Sequence, residues 1–380
     1  MQYRDFGALK FKASALGFGC MRLPTTDQQR NSPHIDEAES IRMIRHAIDS
    51  GVNYLDTAYT YHEGQSERLL GRALQDGYRK RVRVATKLPV WLVRQAEDFD
   101  RTLDEQLRRL QTSRIDFYLF HALNRRFWKD SVLAYKLLDK AERALADGRI
   151  GHLGFSFHGE FELFEEILDA TELWSFCQIQ YNYMNVEYQA GERGLKLAAD
   201  RGLGVVVMEP LLGGRLADPP SEVRERMAQF PLERTPVEWA LSWLWNQPEV
   251  SVVLSGMSTM KQVEENLRLA AQAHLHCFGS KDQTLIEEVR ACYNARVAIP
   301  CTRCGYCMPC PHGIDIPTNF ELFNYAQTYC DMDSSQLRYK FILTEEQRAG
   351  SCQHCGLCHE LCPQQIPIAD WMAKLSVALG

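Results

Sequence analysis

Nine of the 13 cysteines in this chain lie between Cys301 and Cys362. Cys301, Cys304, Cys307 and Cys310 are evenly spaced, and the run ends before Pro311. Cys352, Cys355 and Cys358 repeat the same step, and Cys362 follows just before Pro363. Thiolates are soft ligands that suit iron–sulfur clusters and zinc. Three thiolates at this spacing wrap one face of an iron–sulfur cube, and the fourth, before proline, reaches the other cube. That rule assigns Cys301, Cys304, Cys307 and Cys362 to one [4Fe-4S] cluster. Cys310, Cys352, Cys355 and Cys358 are assigned to the second. The first run is one residue short before its last cysteine, so Cys310 is its least regular ligand. Zinc is the alternative, but tetrahedral zinc sites use separated Cys-x2-Cys pairs rather than triplets closed by Cys-Pro. Cys330 lies outside both runs and is expected to pack.

A second group of residues could move protons. Asp56, Lys87 and His121 each end a short β-rich run, and Tyr61 follows Asp56 in the next loop. One such residue after a strand is usually only solvated. A carboxylate, a phenol, an ammonium and an imidazole at consecutive strand ends form a site if those ends share one mouth.

The elements that position them alternate in texture. Strand-like runs at 14–19, 52–56, 82–87, 115–121, 150–156, 177–181, 204–208 and 250–255 each precede a stretch of helical period. These helical stretches are 36–49, 66–74, 97–110, 132–146, 161–168, 191–200, 236–245 and 260–270. Strand–helix alternation predicts a parallel sheet. Eight units in about 250 residues predict a closed α/β (β/α)8 TIM barrel, whose chemistry gathers at the strand C-termini. An open doubly wound sheet is the alternative. Residues 3–12 read as a hairpin that plugs the barrel bottom.

The barrel does not exhaust the 380 residues. We expect a barrel over 1–278, a linker helix over 279–297, and a cysteine-rich module over 298–380. A formal net charge of −6 argues against a nucleic-acid partner, which requires a basic field. No apolar run approaches the roughly 20 residues of a membrane helix. The opening residues show no secretory leader, and a cysteine cluster of this kind fits a reducing compartment, so the expected location is cytoplasmic.

Gly51-Val52-Asn53-Tyr54-Leu55-Asp56-Thr57-Ala58, Tyr61, Ser66-Glu67 and Leu70-Gly71-Arg72-Ala73-Leu74 resemble the aldo-keto reductase signature. So do Ala85-Thr86-Lys87-Leu88 and Asp116-Phe117-Tyr118-Leu119-Phe120-His121. The resemblance implies a small-molecule carbonyl or alcohol substrate and a nicotinamide, NADP or NAD, as hydride carrier. It implies that Tyr61 is the general acid, that Lys87 lowers its pKa, that Asp56 holds Lys87, and that His121 orients the substrate oxygen. It also implies nicotinamide contacts from Ser156, Gln178, Met208, Pro210 and Leu211. The adenine nucleotide would meet Gly256, Ser258, Gln262, Glu265 and Asn266 after the eighth strand. Here the chain departs from the family. Gln262 replaces the arginine that grips a 2′-phosphate. Phe157 replaces the asparagine that bonds the carboxamide. Met208 replaces the aromatic that stacks on nicotinamide. Trp91 and Trp128 are candidates for pocket walls or loop packing, and Arg125 and Arg126 for attracting an acidic substrate. Trp239, Trp243 and Trp245 read as core.

Residues 311–351, between the cysteine runs, read as helical at 320–326 and 345–347. That resembles an alpha-helical ferredoxin-type domain. Barrel and tail together resemble the iron–sulfur-containing aldo-keto reductase-like oxidoreductases. Hydride transfer moves two electrons together, whereas a [4Fe-4S] cluster moves one, and the sequence holds no flavin signature to bridge them. Three readings follow. In the first, the barrel reduces a carbonyl with nicotinamide while the clusters exchange electrons with a carrier, a bound cofactor or a redox partner protein. In the second, the clusters are structural or redox-sensing and tune an ordinary reductase. In the third, the barrel is a non-turnover scaffold in an electron-transfer, redox-sensing or interaction subunit.

Overall fold

A computed structural model describes every residue except Leu232 and His276. Among the described residues there are ten strands. They are β1 (Tyr3–Phe6), β2 (Leu9–Ser14), β3 (Leu16–Gly19), β4 (Tyr54–Asp56), β5 (Arg83–Leu88), β6 (Ile115–Leu123), β7 (Ile150–Phe157), β8 (Trp174–Gln180), β9 (Gly204–Met208) and β10 (Val250–Gly256). Strands β3 to β10 pair in parallel and close in the order β10-β3-β4-β5-β6-β7-β8-β9. The eight strand–helix units therefore form the closed barrel, not the open sheet.

Helices α1 (Glu37–Asp49), α2 (Gln65–Ala73), α3 (Glu97–Arg109), α4 (Leu137–Ala146), α5 (Phe161–Asp169) and α6 (Gly191–Asp200) follow β3 to β8. After β9 come α7 (Ser221–Ala228) and α8 (Pro236–Trp245), and after β10 comes α9 (Met260–Ala270). Helix α1 shows why such segments fold locally. Asp36 accepts a hydrogen bond from the Glu39 N–H at 3.1 Å and caps the helix. Met43, Ile44, Ala47 and Ile48 form its buried stripe.

One predicted helix is interrupted. The segment expected to be helical from 132 makes a wide turn over Trp128–Leu133, and Lys136 adopts a left-handed φ of 50°. Trp128 is buried, and its indole N–H donates to Glu166 of α5 at 3.0 Å. That anchor holds the turn, so α4 starts only at Leu137.

Alternation along the barrel strands sorts side chains into two layers. Tyr54, Ala85, Phe117, Leu119, Phe176, Val206, Val252 and Leu254 pack together inside the barrel. Leu55, Val84, Tyr118, Phe120, Ile179 and Val207 face the helices. Gly154 supplies space inside, because a Cβ there would lie 2.5 Å from the Phe176 ring. The hairpin of β1 and β2 closes the N-terminal end. Its Phe6 ring centroid lies 4.8 Å from Phe117, 5.7 Å from Tyr54 and 5.8 Å from Phe176.

The chain divides into two compact units, Met1–Gly213 with Val237–Gly279, and Gly214–Pro236 with Ser280–Gly380. The second holds α10 (Ser280–Asn294), α11 (Ile316–Tyr329), α12 (Met332–Ile342) and α13 (Ile368–Leu379). Ile299, Ile314, Ile316, Phe320, Tyr339, Ile366, Ile368, Met372 and Leu375 form part of its core. The stretch read as a linker helix folds here as α10. Segment 214–236, which the sequence places within the barrel span, belongs to this unit. Arg234 pairs with Asp282 and Arg215 with Asp331, both at 2.7 Å. Residues 345–347, expected to be helical, lie in a turn. Among the described residues, no helix is long and apolar enough to cross a membrane.

Candidate active site and cluster sites

Inward alternation brings Asp56 of β4, Lys87 of β5 and His121 of β6 to one end of the barrel. Lys87 and Asp56 are almost fully buried. The Lys87 ammonium donates to Asp56 Oδ1 at 2.6 Å, to the Thr57 carbonyl at 2.8 Å and to Tyr61 Oη at 3.3 Å. All three of its protons are thus engaged. The Tyr61 and His121 rings stand nearly edge to face with centroids 6.0 Å apart. Trp91 packs 5.0 Å from the His121 ring and forms a wall of the site. Trp128 does not, since it is buried against α5. Arg125 pairs with Glu166 at 3.0 Å, and Arg126 lies 3.9 Å from Asp130. Trp239 and Trp245 are buried, as expected of core residues.

Burial opposes the charge on Lys87, but Asp56 and Tyr61 outweigh it and raise its pKa. Burial also raises the Tyr61 phenol above its ordinary value, and Lys87 only partly opposes that. Lys87 acts in the direction that the resemblance implies, and removal from water acts against it. Burial, Lys87 and His158 push His121 well below the usual histidine range. That shift favours the neutral imidazole, and its Nδ1 makes no protein hydrogen bond.

A polar network lies behind Lys87. Fully buried Glu67 accepts from Thr86 Oγ1 at 2.6 Å, Gln106 Nε2 at 2.7 Å and Arg109 Nη1 at 3.1 Å. Gln106 Nε2 also donates to the Lys87 carbonyl at 3.1 Å, and Tyr118 Oη donates to Gln106 Oε1 at 2.7 Å. This network ties α2 and α3 to β5 and fixes the strand that carries Lys87.

The residues expected to hold nicotinamide fall into two groups. Ser156 and Gln178 are buried on inward positions of β7 and β8, and Met208 ends β9 partly exposed. Ser156 Oγ accepts from the Ala122 N–H at 2.7 Å, and Gln178 Oε1 has no protein partner. Such an orphaned buried oxygen fits an incoming carboxamide donor. Pro210 is buried and Leu211 partly so in the loop after β9. Phe157 faces outward against Phe155 and Phe164, so it does not occupy the carboxamide position.

The other group surrounds the start of α9. Gly256, Ser258 and Gln262 are exposed, Glu265 is partly exposed and Asn266 is buried. The Ser258 N–H donates to Gln262 Oε1 at 2.8 Å, and Asn266 Nδ2 to Ser255 Oγ at 3.0 Å. The Gln262 side chain folds back onto its own turn instead of reaching outward.

In the second unit, Cys301, Cys304, Cys307 and Cys362 line one cavity with Phe320, Ile366 and Ile368. Cys310, Cys352 and Cys355 surround Cys358 closely enough to raise its thiol pKa after burial does so. Cys362 thus lies with the first three thiols and Cys310 near the later three, and the residues present fit two cubes. Among the described residues, no three His, Cys, Asp or Glu side chains converge as a single metal ion would need. Cys330 is exposed rather than packed, and its sulfur accepts from Arg296 at 2.8 Å.

Several residues near the mouth escaped the sequence reading. His158 sits beyond β7 with Nδ1 3.3 Å from Gln189 Nε2. Cys20 is buried close enough to influence Tyr61. His62 is buried beside Tyr61. Nothing in their spacing marks them, because loops bring them in.

Residues 15–276 match the model of the aldo/keto reductase family, which is more than half the chain. The chain belongs to the aldo/keto reductase family. Residues 300–366 match a 4Fe-4S dicluster domain. This family member is similar to "Probable aldo-keto reductase 1" of Glycine max, 24% identical over 69% of this chain and 82% of that one. It is also similar to "Uncharacterized oxidoreductase YrpG" of Bacillus subtilis (strain 168), 24% identical over 70% of this chain and 90% of that one. Among solved structures it resembles the holo form of aldo-keto reductase AKR11C1 from Bacillus halodurans. There the TM-score is 0.63, the identity 25%, and the coverage 76% of this chain and 96% of that chain. This member is thus an oxidoreductase of aldo-keto reductase type with a 4Fe-4S ferredoxin-type domain.

Proposed function

We propose that the barrel reduces a small-molecule carbonyl, or oxidises the corresponding alcohol, with Tyr61 as general acid/base. NADP or NAD would be the hydride carrier, and two [4Fe-4S] clusters would transfer electrons. The observation that carries this is the Lys87 ammonium bonded at once to Asp56 and Tyr61. When bound, nicotinamide supplies a hydride and the clusters hold single electrons. Tyr61 Oη donates its proton to the carbonyl oxygen as charge develops there. Lys87 stabilises the phenolate left behind, and Asp56 keeps the ammonium aimed. Neutral His121 donates a ring N–H to the same oxygen and orients it. Ser156 and Gln178 hold the carboxamide, Met208, Pro210 and Leu211 line its ring, and Gly256, Ser258, Gln262, Glu265 and Asn266 meet the adenine nucleotide. Cys301, Cys304, Cys307 and Cys362 hold one cluster, and Cys310, Cys352, Cys355 and Cys358 the other. A redox partner protein would exchange their electrons.

A second reading makes the barrel a non-turnover scaffold for electron transfer or redox sensing. Met208 in place of a stacking aromatic favours it. Anaerobic purification with iron and sulfide counting, followed by NADH and NADPH titration, separates the two. The first reading expects about eight iron and eight sulfide per chain and saturable binding of one nicotinamide. Full iron without nicotinamide binding selects the scaffold.

A further inference from the structure

Tyr61 opens a turn, Tyr61–Gly64, whose next three residues are left-handed. His62 has φ 51° and ψ 44°, Glu63 φ 53° and ψ 34°, and Gly64 φ 88°. Glycine adopts this conformation freely, whereas histidine and glutamate crowd their own carbonyls in it. Such residues persist where their surroundings over-determine them. Here the surroundings are the loop between β3 and α1. The His62 N–H donates to Asn31 Oδ1 at 2.8 Å, and His62 Nδ1 lies 2.7 Å from the Ser32 carbonyl. A carbonyl only accepts, so Nδ1 carries the proton. The loop is itself tied down. Thr25 bridges Ile35, the Asp36 N–H donates to the Pro24 carbonyl at 2.8 Å, and Ser32 Oγ donates to Asp27 at 2.6 Å.

We propose that His62 is a positioning residue: through it, the loop of residues 25–36 holds the left-handed turn that presents Tyr61 to Lys87. This rests on Tyr61 being the acid. Burial lowers the His62 pKa, and its Nε2 has no hydrogen-bond partner.

The test uses the full chain with its clusters and compares His62→Ala, His62→Asn, Asn31→Ala and Tyr61→Phe. The groups that face the Tyr61 phenol are Lys87, Asp56, Cys20 and His121, and among the first three only Lys87 lowers its pKa. A Tyr61 that stays buried but is displaced from Lys87 therefore titrates higher. We expect His62→Ala to lower kcat for carbonyl reduction about ten- to a hundredfold, as slight misplacement of a reacting group does. The alkaline limb of its pH profile should move upward. Asn31→Ala should move the limb the same way. His62→Asn tolerates the left-handed backbone and offers an amide N–H to Ser32, so it should recover most of kcat and the original limb. A merely structural role would lower thermal stability and active fraction without moving the limb. An unmoved limb in folded His62→Ala and Asn31→Ala overturns the proposal. If His62→Ala does not fold, Asn31→Ala alone decides. Turnover retained by Tyr61→Phe overturns the acid assignment instead, and so separates the two failures.

Discussion

Tyr61 Oη accepts a hydrogen bond from Lys87, so its own proton is left for another acceptor. Asp56, Tyr61, Lys87 and His121 could be picked from the sequence because they are reactive types at consecutive strand ends. Their titration could not, because burial dominates the shifts of Tyr61 and His121 and depends on packing from distant segments. His121 has a measurable consequence. Its pKa in the fold lies below the unfolded value of about 6.5. The unfolded chain therefore binds this proton first as pH falls. The associated stability is present above about pH 6.5 and is lost as pH drops towards the folded pKa, at about 1.4 kcal/mol per pH unit. Chemical denaturation of wild type and His121→Asn between pH 7 and pH 5 should show a shallower loss in the variant. Parallel slopes would show that His121 is not held neutral.

The elements carry these residues through register. Strand alternation was legible in the sequence, and so were the helical stripes that became α1, α6 and α9. The break at Trp128–Leu133 was not, since it depends on a hydrogen bond from Trp128 to Glu166 in a later helix. Nor was the role of Glu67, whose partners come from β5 and α3. Removing Glu67 takes a buried acceptor from Arg109 and Gln106, while Arg109 keeps Glu105 and Gln106 keeps the Lys87 carbonyl. Loss of such buried hydrogen bonds costs about 1–3 kcal/mol. Glu67→Ala should lower unfolding stability by that amount, measured in urea, and should reduce turnover because β5 loses the tie that aims Lys87. A loss below 1 kcal/mol would mean that water replaces the network.

At the scale of the molecule, the excess length and the excess cysteines of the sequence are largely the same residues. The second unit also claims 214–236, which no local pattern separates from the barrel span, since pairs such as Arg234 with Asp282 form only after folding. The crossed ligand sets are proposed from spacing and from the cavity that Cys301, Cys304, Cys307 and Cys362 share. They predict that Cys362→Ser loses or alters the cluster of Cys301, Cys304 and Cys307 and spares the other. Iron should fall from about eight to about four per chain, or one cluster should keep its iron with a changed spectrum. Loss of both clusters, or alteration of the one assigned to Cys310, would break the crossed assignment.

The account depends most on Tyr61. Its direct test is the single-turnover rate of hydride transfer from NADPH or NADH to an aromatic aldehyde, in anaerobic cluster-loaded wild type and in Tyr61→Phe. We predict saturable transfer in the wild type and a fall of at least about a hundredfold in the variant, with nicotinamide affinity and iron content unchanged. Equal rates in the two proteins, or no transfer in a wild type that binds nicotinamide, would contradict the account.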